Sequence, residues 1–149
     1  MRFRNSAKAV TIKDNKLLAI QKMDTDGPWY LLPGGGQEFG ETLIDTLKRE
    51  CFVEMGAKIE VGKMILCREY IGKNHEFSET DSDFHQVEFY FHCTLITEVN
   101  ESAATHPENG QTGVCWLSIS GDNDVRLYPK FLLSALRDVA EFTYYGDMN

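Results

Sequence analysis

The chain is poor in cysteine and in positive charge, and it has no long apolar run. Its four cysteines, Cys51, Cys67, Cys93 and Cys115, lie far apart and form no C-x-x-C pair. That spacing excludes a disulfide framework and a cysteine-based zinc site, and it predicts reduced thiols in the core. Fifteen Lys and Arg against 23 Asp and Glu leave a formal net charge of −8. A surface this acidic repels polyanions, which excludes a basic face for long DNA or RNA. An anionic small molecule is still admissible where a metal cation supplies local positive charge. No stretch of ~18 apolar residues is present to span a bilayer, and nothing near Met1 resembles a signal peptide. No membrane association is expected, and the expected location is the cytoplasm. There is no internal repeat, low-complexity tract or linker. The 149 residues, 42% hydrophobic and 26% charged, therefore read as a single domain over residues 1–149 with a core of its own.

The segment "SAKAVTIKDNKLLAIQKM" predicts two strands around a turn at Asp14-Asn15. "PWYLLP" is a brief apolar strand cut by Pro33 and leading into a turn of three glycines, Gly34 to Gly36. From Thr42 to Met55 the apolar residues Leu43, Leu47, Cys51 and Met55 recur every fourth position, with Ile44 beside them. This is one buried stripe of a helix. Thr42 and Asp45 fit a capping box, and Gly56 is a natural stop. "KIEVGKMILCREYIG" predicts one or two strands, and the acidic "NHEFSETDSDFH" a loop. "QVEFYFHCTLI" predicts a strand with Val87, Phe89 and Phe91 on one face and Gln86, Glu88 and Tyr90 on the other; "VCWLSI" is a further strand. "YPKFLLSALRDVAEF" reads as a closing helix with Pro129 in its first turn. This order predicts an α/β fold, a mixed β-sheet between helices in an α/β/α sandwich.

Glu50 and Glu54 are four apart, so they stack on one helical face, with Thr46 extending the row. The row is turned away from the apolar stripe and is expected to be polar surface unless it binds something. Two stacked carboxylates repel, and a cation between them reverses the sign; hard divalent ions prefer such oxygen ligands. The glycines ahead of the helix can bring backbone close to a ligand or metal. They do not form a P-loop, because no Gly-Lys-Ser/Thr follows. They also fail G-x-G-x-x-G, with Phe39 where glycine is needed.

This stretch resembles the Nudix box, G-x5-E-x7-R-E-U-x-E-E-x-G-U with U a bulky apolar residue. Gly35 takes the first position, Glu41 lies six further on, and Arg49-Glu50 follows at the required distance. Cys51, Glu54 and Gly56 occupy their places, and "WYLLPGG" is similar to the approach in many members. Two positions depart: Ala57 is small for the last U, and Val53 stands where the first of the paired glutamates belongs. That departure predicts weakened or re-ordered metal binding.

The resemblance implies a Nudix-type fold and hydrolysis of a diphosphate bond in a nucleoside diphosphate linked to another group. It implies Mg²⁺ or Mn²⁺ held by Glu50 and Glu54, with the carbonyl of Gly35 or Gly36 completing the site and Arg49 and Glu41 bracing it. The general base is expected outside the helix: Glu108, in "HPENGQTGVCW", or Glu88, with Glu108 preferred and also counted as a metal ligand. Trp29, Tyr30 and Phe39 are candidates to stack on a base or ribose; Arg4 and Lys8, with His75 or His85, are candidates to meet phosphates. His92 and His106 show no ligand spacing. ADP-ribose or a nucleotide sugar is the favoured substrate and an oxidised nucleoside triphosphate the runner-up. A silent nucleotide sensor of the same fold, or an α/β domain with an accidental match, are the rival readings. A homodimer is compatible with the resemblance.

Overall fold

The computed structural model describes residues 1–104, 110–120, 124–138 and 141–149. Strand β1 (Arg2–Val10) is followed by the short β2 (Ile12–Lys13) and by β3 (Lys16–Asp24). Asp14 and Asn15, with φ of 50° and 61°, make the turn between them. Two left-handed residues in succession match the right-handed twist of a hairpin, and Asp and Asn tolerate that region better than most. Next come β4 (Gly27–Leu31) and β5 (Gly34–Gly36). The three glycines are thus a strand rather than only a turn: Gly36, Gly35 and Gly34 pair antiparallel with Ser6, Ala7 and Lys8 of β1.

Helix α1 (Leu43–Met55) begins at the expected cap. Thr42 Oγ1 accepts from the Asp45 N–H at 3.1 Å, and Asp45 Oδ2 accepts from the Thr42 N–H at 3.0 Å. Such a cap stabilises a helix by about 1 kcal/mol. Gly56, at φ 63°, ends it in the left-handed conformation. Strand β6 (Ile59–Ile71) is one strand with two irregularities in its register. The acidic connection is not wholly a loop, since it carries a 3₁₀ turn (Gly72–Asn74) and a short helix α2 (Ser78–Asp81). Then follow β7 (Phe84–Leu95), a 3₁₀ turn (Glu101–Ala103), β8 (Gln111–Ser118), α3 (Leu132–Asp138) and β9 (Thr143–Asp147).

The expected closing helix is therefore shorter than its pattern, Pro129 precedes it, and a strand follows it. Strand β9 runs parallel to β6 at the edge of a five-stranded mixed sheet of order β5-β1-β7-β6-β9. Its pairing with β6 settles "TYYGD" as a strand, which local pattern alone does not. A second, four-stranded antiparallel sheet joins β2, β3, β4 and β8.

The helices lie on two sides of this strand system. Leu47, Cys51 and Met55 of α1 pack with Ala7, Ala9 and Phe91 in one apolar cluster; Leu132 and Ala135 of α3 pack with Val10, Leu66 and Tyr90 in another. Fully burying a large side chain contributes about 1.5–3 kcal/mol, so these clusters supply most of the drive to fold. The expected α/β/α sandwich is the observed architecture. All four cysteines are free thiols, Cys115 half-buried and the others buried. Among the described residues no helix is long and apolar enough to cross a membrane.

Candidate active site

The polar row of α1 is not a solvated face. Thr46 is fully buried and Glu54 is 2% exposed, because the row lies against β5. Glu54 Oε1 accepts from the Gly34 N–H at 2.9 Å. A Cβ on Gly35 would stand 2.7 Å from Glu50 Cδ and 2.9 Å from each of its carboxylate oxygens. Both carboxylates therefore abut the glycine strand, and only a residue without a side chain lets Glu50 come so close. Val53 is half-buried on the same helix.

Arg49 braces this pair. Its Nη1 donates to Glu50 Oε1 at 2.7 Å and its Nη2 to the Gly36 carbonyl at 3.1 Å. The chain folds back so that Glu41 accepts from Arg49 Nε at 2.7 Å and from Nη2 at 2.9 Å. The Arg49 guanidinium, aided by the Glu38 N–H, holds the Glu41 carboxyl at about 2, far below its usual 4.5. Arg49 is in turn pushed above the ordinary arginine value, chiefly by its bond to Glu41. The carbonyl of Gly36 is engaged by Arg49, and that of Gly35 accepts from Ser6 Oγ at 3.0 Å.

A two-chambered cleft opens beside β1 and β7. In the registers of β1 with β7 and of β6 with β7, Arg4 stands opposite Gln86 and Tyr70 opposite Gln86, Ser6 and Arg68 opposite Glu88, and Lys8 and Leu66 opposite Tyr90. With side chains alternating along each strand, these form polar rows on one face of the sheet. The inner chamber, about 180 Å³, is lined by Arg4, Lys8, Arg68, Gln86 and Glu88 with Leu31, Leu32 and Tyr90. The outer chamber, about 620 Å³, takes its walls from Tyr70, Phe77, Phe84, Asp26 and Arg126. Trp29, Arg68, Gln86 and Tyr128 line both and form the passage between them. Trp29 meets Tyr128 edge-on at 5.7 Å, and Phe77 meets Tyr128 at 6.0 Å. A separate hollow of about 280 Å³, bordered by Ile12, Leu95, Ile96 and Trp116, shares no residue with this cleft.

Glu88, the alternative candidate for general base, does line the inner chamber, but as one half of a buried ion pair. It is 3% exposed, accepts from Arg68 Nε at 2.5 Å and from the Tyr90 hydroxyl at 2.9 Å, and is ion-paired to Arg68 Nη2. Burial would raise its pKa, but the charges of Arg68 and Lys8 outweigh burial and hold it below the usual value. A carboxylate so stabilised is a poor general base, and its Oε1 takes all three of these contacts. Arg68 Nη1 donates to the Met148 carbonyl at 2.6 Å, so the residues after β9 help hold it in place.

The structure thus gathers Glu41, Arg49, Glu50 and Glu54 around Gly35 and Gly36, and gathers Arg4, Lys8 and Trp29 in the adjoining cleft. Phe39 joins neither group: it is fully exposed and lines neither chamber, the turn at Gly40 (φ 90°) carrying it away. Tyr30 packs on the α3 cluster. His75 and His85 are committed to carboxylates, His75 Nε2 to Asp147 at 2.5 Å and His85 Nε2 to Glu69 at 2.8 Å. Glu108 and His106 lie outside the described residues. Gln111, at the start of β8, donates to the Glu54 carbonyl at 3.0 Å. Sequence reasoning missed Arg68, Gln86 and Tyr128; the alternation of Arg68 with Tyr70 was the available signal, but the strand register that faces it to Glu88 was not.

A family model described as NUDIX domain matches residues 2–121. Among solved structures, the chain is similar to an ADP-ribose pyrophosphatase from Streptococcus suis, with TM-score 0.65 and 16% identity over 95% of this chain and 98% of that one. It is similar to a MutT NUDIX hydrolase from Burkholderia pseudomallei, with TM-score 0.68 and 17% identity over 94% and 100%. A UDP-X diphosphatase matches with TM-score 0.68 and 16% identity over 96% of this chain and 68% of that one. At such identities these likenesses establish the fold.

Proposed function

The chain belongs to the Nudix hydrolase family, and from that premise we propose that it hydrolyses the diphosphate bond of a nucleoside diphosphate linked to a second moiety, using Mg²⁺ or Mn²⁺. ADP-ribose or a nucleotide sugar is the favoured substrate; two of the similar proteins are named an ADP-ribose pyrophosphatase and a UDP-X diphosphatase. The observation that carries the reading is the placement of Glu50 and Glu54 against the glycine strand, which pairs with β1, whose Arg4 and Lys8 line a cleft that is cationic within and aromatic at its mouth.

The residues fit a hard divalent cation. The donors are all oxygen: two carboxylates and the Gly35 carbonyl, with Glu108 proposed as a further ligand or the general base. Magnesium characteristically takes one or two carboxylates and leaves its other positions to water and substrate phosphate. Among the described residues no group of three or more His, Cys, Asp or Glu is placed to hold a metal ion together, so the proposed donors on α1 are two carboxylates, with Val53 at the place of a third. Glycine at 35 lets the Glu50 carboxylate reach the backbone of β5, where any Cβ would push it away. When bound, the cation would neutralise phosphate charge and polarise the P–O bond under attack.

The protein's own groups would hold and orient the substrate. Trp29 and Tyr128 offer aromatic faces to a base or ribose at the passage. Arg4 supplies charge beside Gly36. Arg49, clamped by Glu41, keeps Glu50 pointed at the glycine strand, so little reorganisation is needed during reaction.

Replacing Glu54→Gln preserves shape, and an amide oxygen can still accept from the Gly34 N–H. We expect an unchanged fold and Mg²⁺-dependent hydrolysis reduced by about 100-fold or more. The assay is phosphate or nucleotide release from ADP-ribose, nucleotide sugars and nucleoside triphosphates, with Mg²⁺ and Mn²⁺ in separate series. Turnover by E54Q within a few-fold of wild type would show that Glu54 does not hold the ion. Stabilisation by nucleotide with no turnover of any substrate would make the protein a sensor.

A further inference from the structure

The inner chamber holds more positive charge than the protein neutralises. Arg4, Lys8 and Arg68 line it against a single carboxylate, Glu88, and Glu88 is ion-paired to Arg68. Lys8 is 8% exposed, and its Nζ makes one long contact, 3.5 Å, to the Leu32 carbonyl. Arg4 spends its Nε on Gln86 Oε1 at 2.6 Å, and its Nη1 lies 3.0 Å from where a Cβ of Gly36 would be. Among the described residues no carboxylate stands within ion-pairing distance of either. For Lys8, a buried charge without a close partner is costly, and an arriving anion would remove that cost; Arg4, exposed at the rim, would add a second positive charge to it.

The position of these groups says which anion. Lys8 stands opposite Gly34 in the strand register, and Arg4 borders Gly36, so they meet the glycine strand that Glu50 and Glu54 abut. On the other side the chamber opens past Trp29 and Tyr128 into the aromatic compartment. We propose that Lys8 and Arg4 form a phosphate subsite that binds the nucleoside-side phosphate of the substrate without help from a divalent cation, a reading that takes the substrate class from the function proposed above. Gln86 is a positioning residue, fixing Arg4 through its Nε. The phosphate held here leaves with the nucleoside after cleavage, so the nucleoside monophosphate product should compete with substrate.

The test is calorimetric titration of the full chain, in EDTA, with ADP, AMP, inorganic pyrophosphate and adenosine. ADP, AMP and pyrophosphate should bind, adenosine should bind at least about tenfold more weakly than AMP, and affinity should fall as salt is raised. Lys8→Met, which keeps the length and removes the charge, should weaken ADP roughly 10- to 100-fold, the loss expected for one charge-assisted hydrogen bond. Arg4→Gln, at the rim of the chamber, should do the same and serves where Lys8→Met does not fold. Gln86→Leu should weaken ADP less than Arg4→Gln and not affect Arg4→Gln further. The proposal is overturned if EDTA abolishes binding of every phosphate compound to wild type, or if folded K8M and R4Q bind ADP as wild type does. Phosphate binding in EDTA with no hydrolysis of any substrate would refute the hydrolase reading and leave this subsite standing; hydrolysis with no metal-free binding would do the reverse.

Discussion

Gly35→Ala separates the role of the glycine strand in folding from its role at the carboxylates. The backbone of Gly35 is not left-handed, so alanine incurs no conformational strain there. Its Cβ would sit 2.7 Å from Glu50 Cδ, where carbon atoms normally approach no closer than about 3.5 Å. Glu50 must therefore retreat by about 1 Å, and being the end of a flexible side chain it can. Overpacking of this kind costs about 1–3 kcal/mol, or roughly 2–12 °C in Tm for a domain of this size. The retreat pulls Glu50 away from Gly35 and strains its bond to Arg49. A displacement near 1 Å at a reacting centre costs ~100-fold in rate, equivalent to ~2.7 kcal/mol of barrier. Gly34→Ala is the contrast: its Cβ would lie 2.0 Å from the backbone oxygen of Ala7, and its φ is 134°, so β5 itself must give way. Kinetics with Mg²⁺, thermal melts and Mn²⁺ binding by electron paramagnetic resonance on both variants test this. The reasoning fails if G35A keeps activity within a few-fold of wild type, or if G35A and G34A lose the same stability.

Glu88→Ala leaves Arg68 buried without its partner, and should destabilise the fold by about 3–5 kcal/mol in urea unfolding; a loss below about 1 kcal/mol would mean water reaches Arg68 freely. The Glu41–Arg49 bond sets an acid limit. Because the folded-state pKa of Glu41 is lowered from 4.5 to about 2, its stabilisation is fully present above about pH 4.5 and is lost as pH falls towards 2. Urea unfolding across that range should show wild type losing its advantage over Glu41→Gln as pH drops, and a constant difference would contradict the pairing.

What could be read from sequence was local. Thr42, Asp45 and Gly56 carry the ends of α1 in their own chemistry, and Asp14-Asn15 carries its hairpin in the same way. The resemblance over Gly35 to Gly56 pointed to Glu50 and Glu54, which the structure sets against β5. What escaped was decided by partners distant in the chain. Gly34–Gly36 is a strand because β1 pairs with it, and Thr143–Asp147 because β6 does. Glu54 is buried because β5 lies over α1, although its helical face taken alone is polar. Glu88 belongs to Arg68 only through a register between strands that alternation cannot fix. Phe39 erred in the other direction, its nearness in sequence to the glycines not being nearness in space.

The net charge of −8 sits oddly with a substrate that is itself an anion, until the charges are placed. Around the cleft most carboxylates are already engaged: Glu41 and Glu50 by Arg49, Glu88 by Arg68, Asp24 by Arg126, Glu76 by Lys130. Lys8 and Arg4 are not matched in this way. Charges in solvent are screened beyond roughly 8–10 Å at physiological ionic strength, so acids scattered over the outer surface weigh little on a phosphate inside the inner chamber. A long polyanion, by contrast, must lie along that outer surface and meet its acids directly. The total charge therefore opposes a long polyanion, while binding at the proposed phosphate subsite is decided by a few side chains beside a strand of glycine.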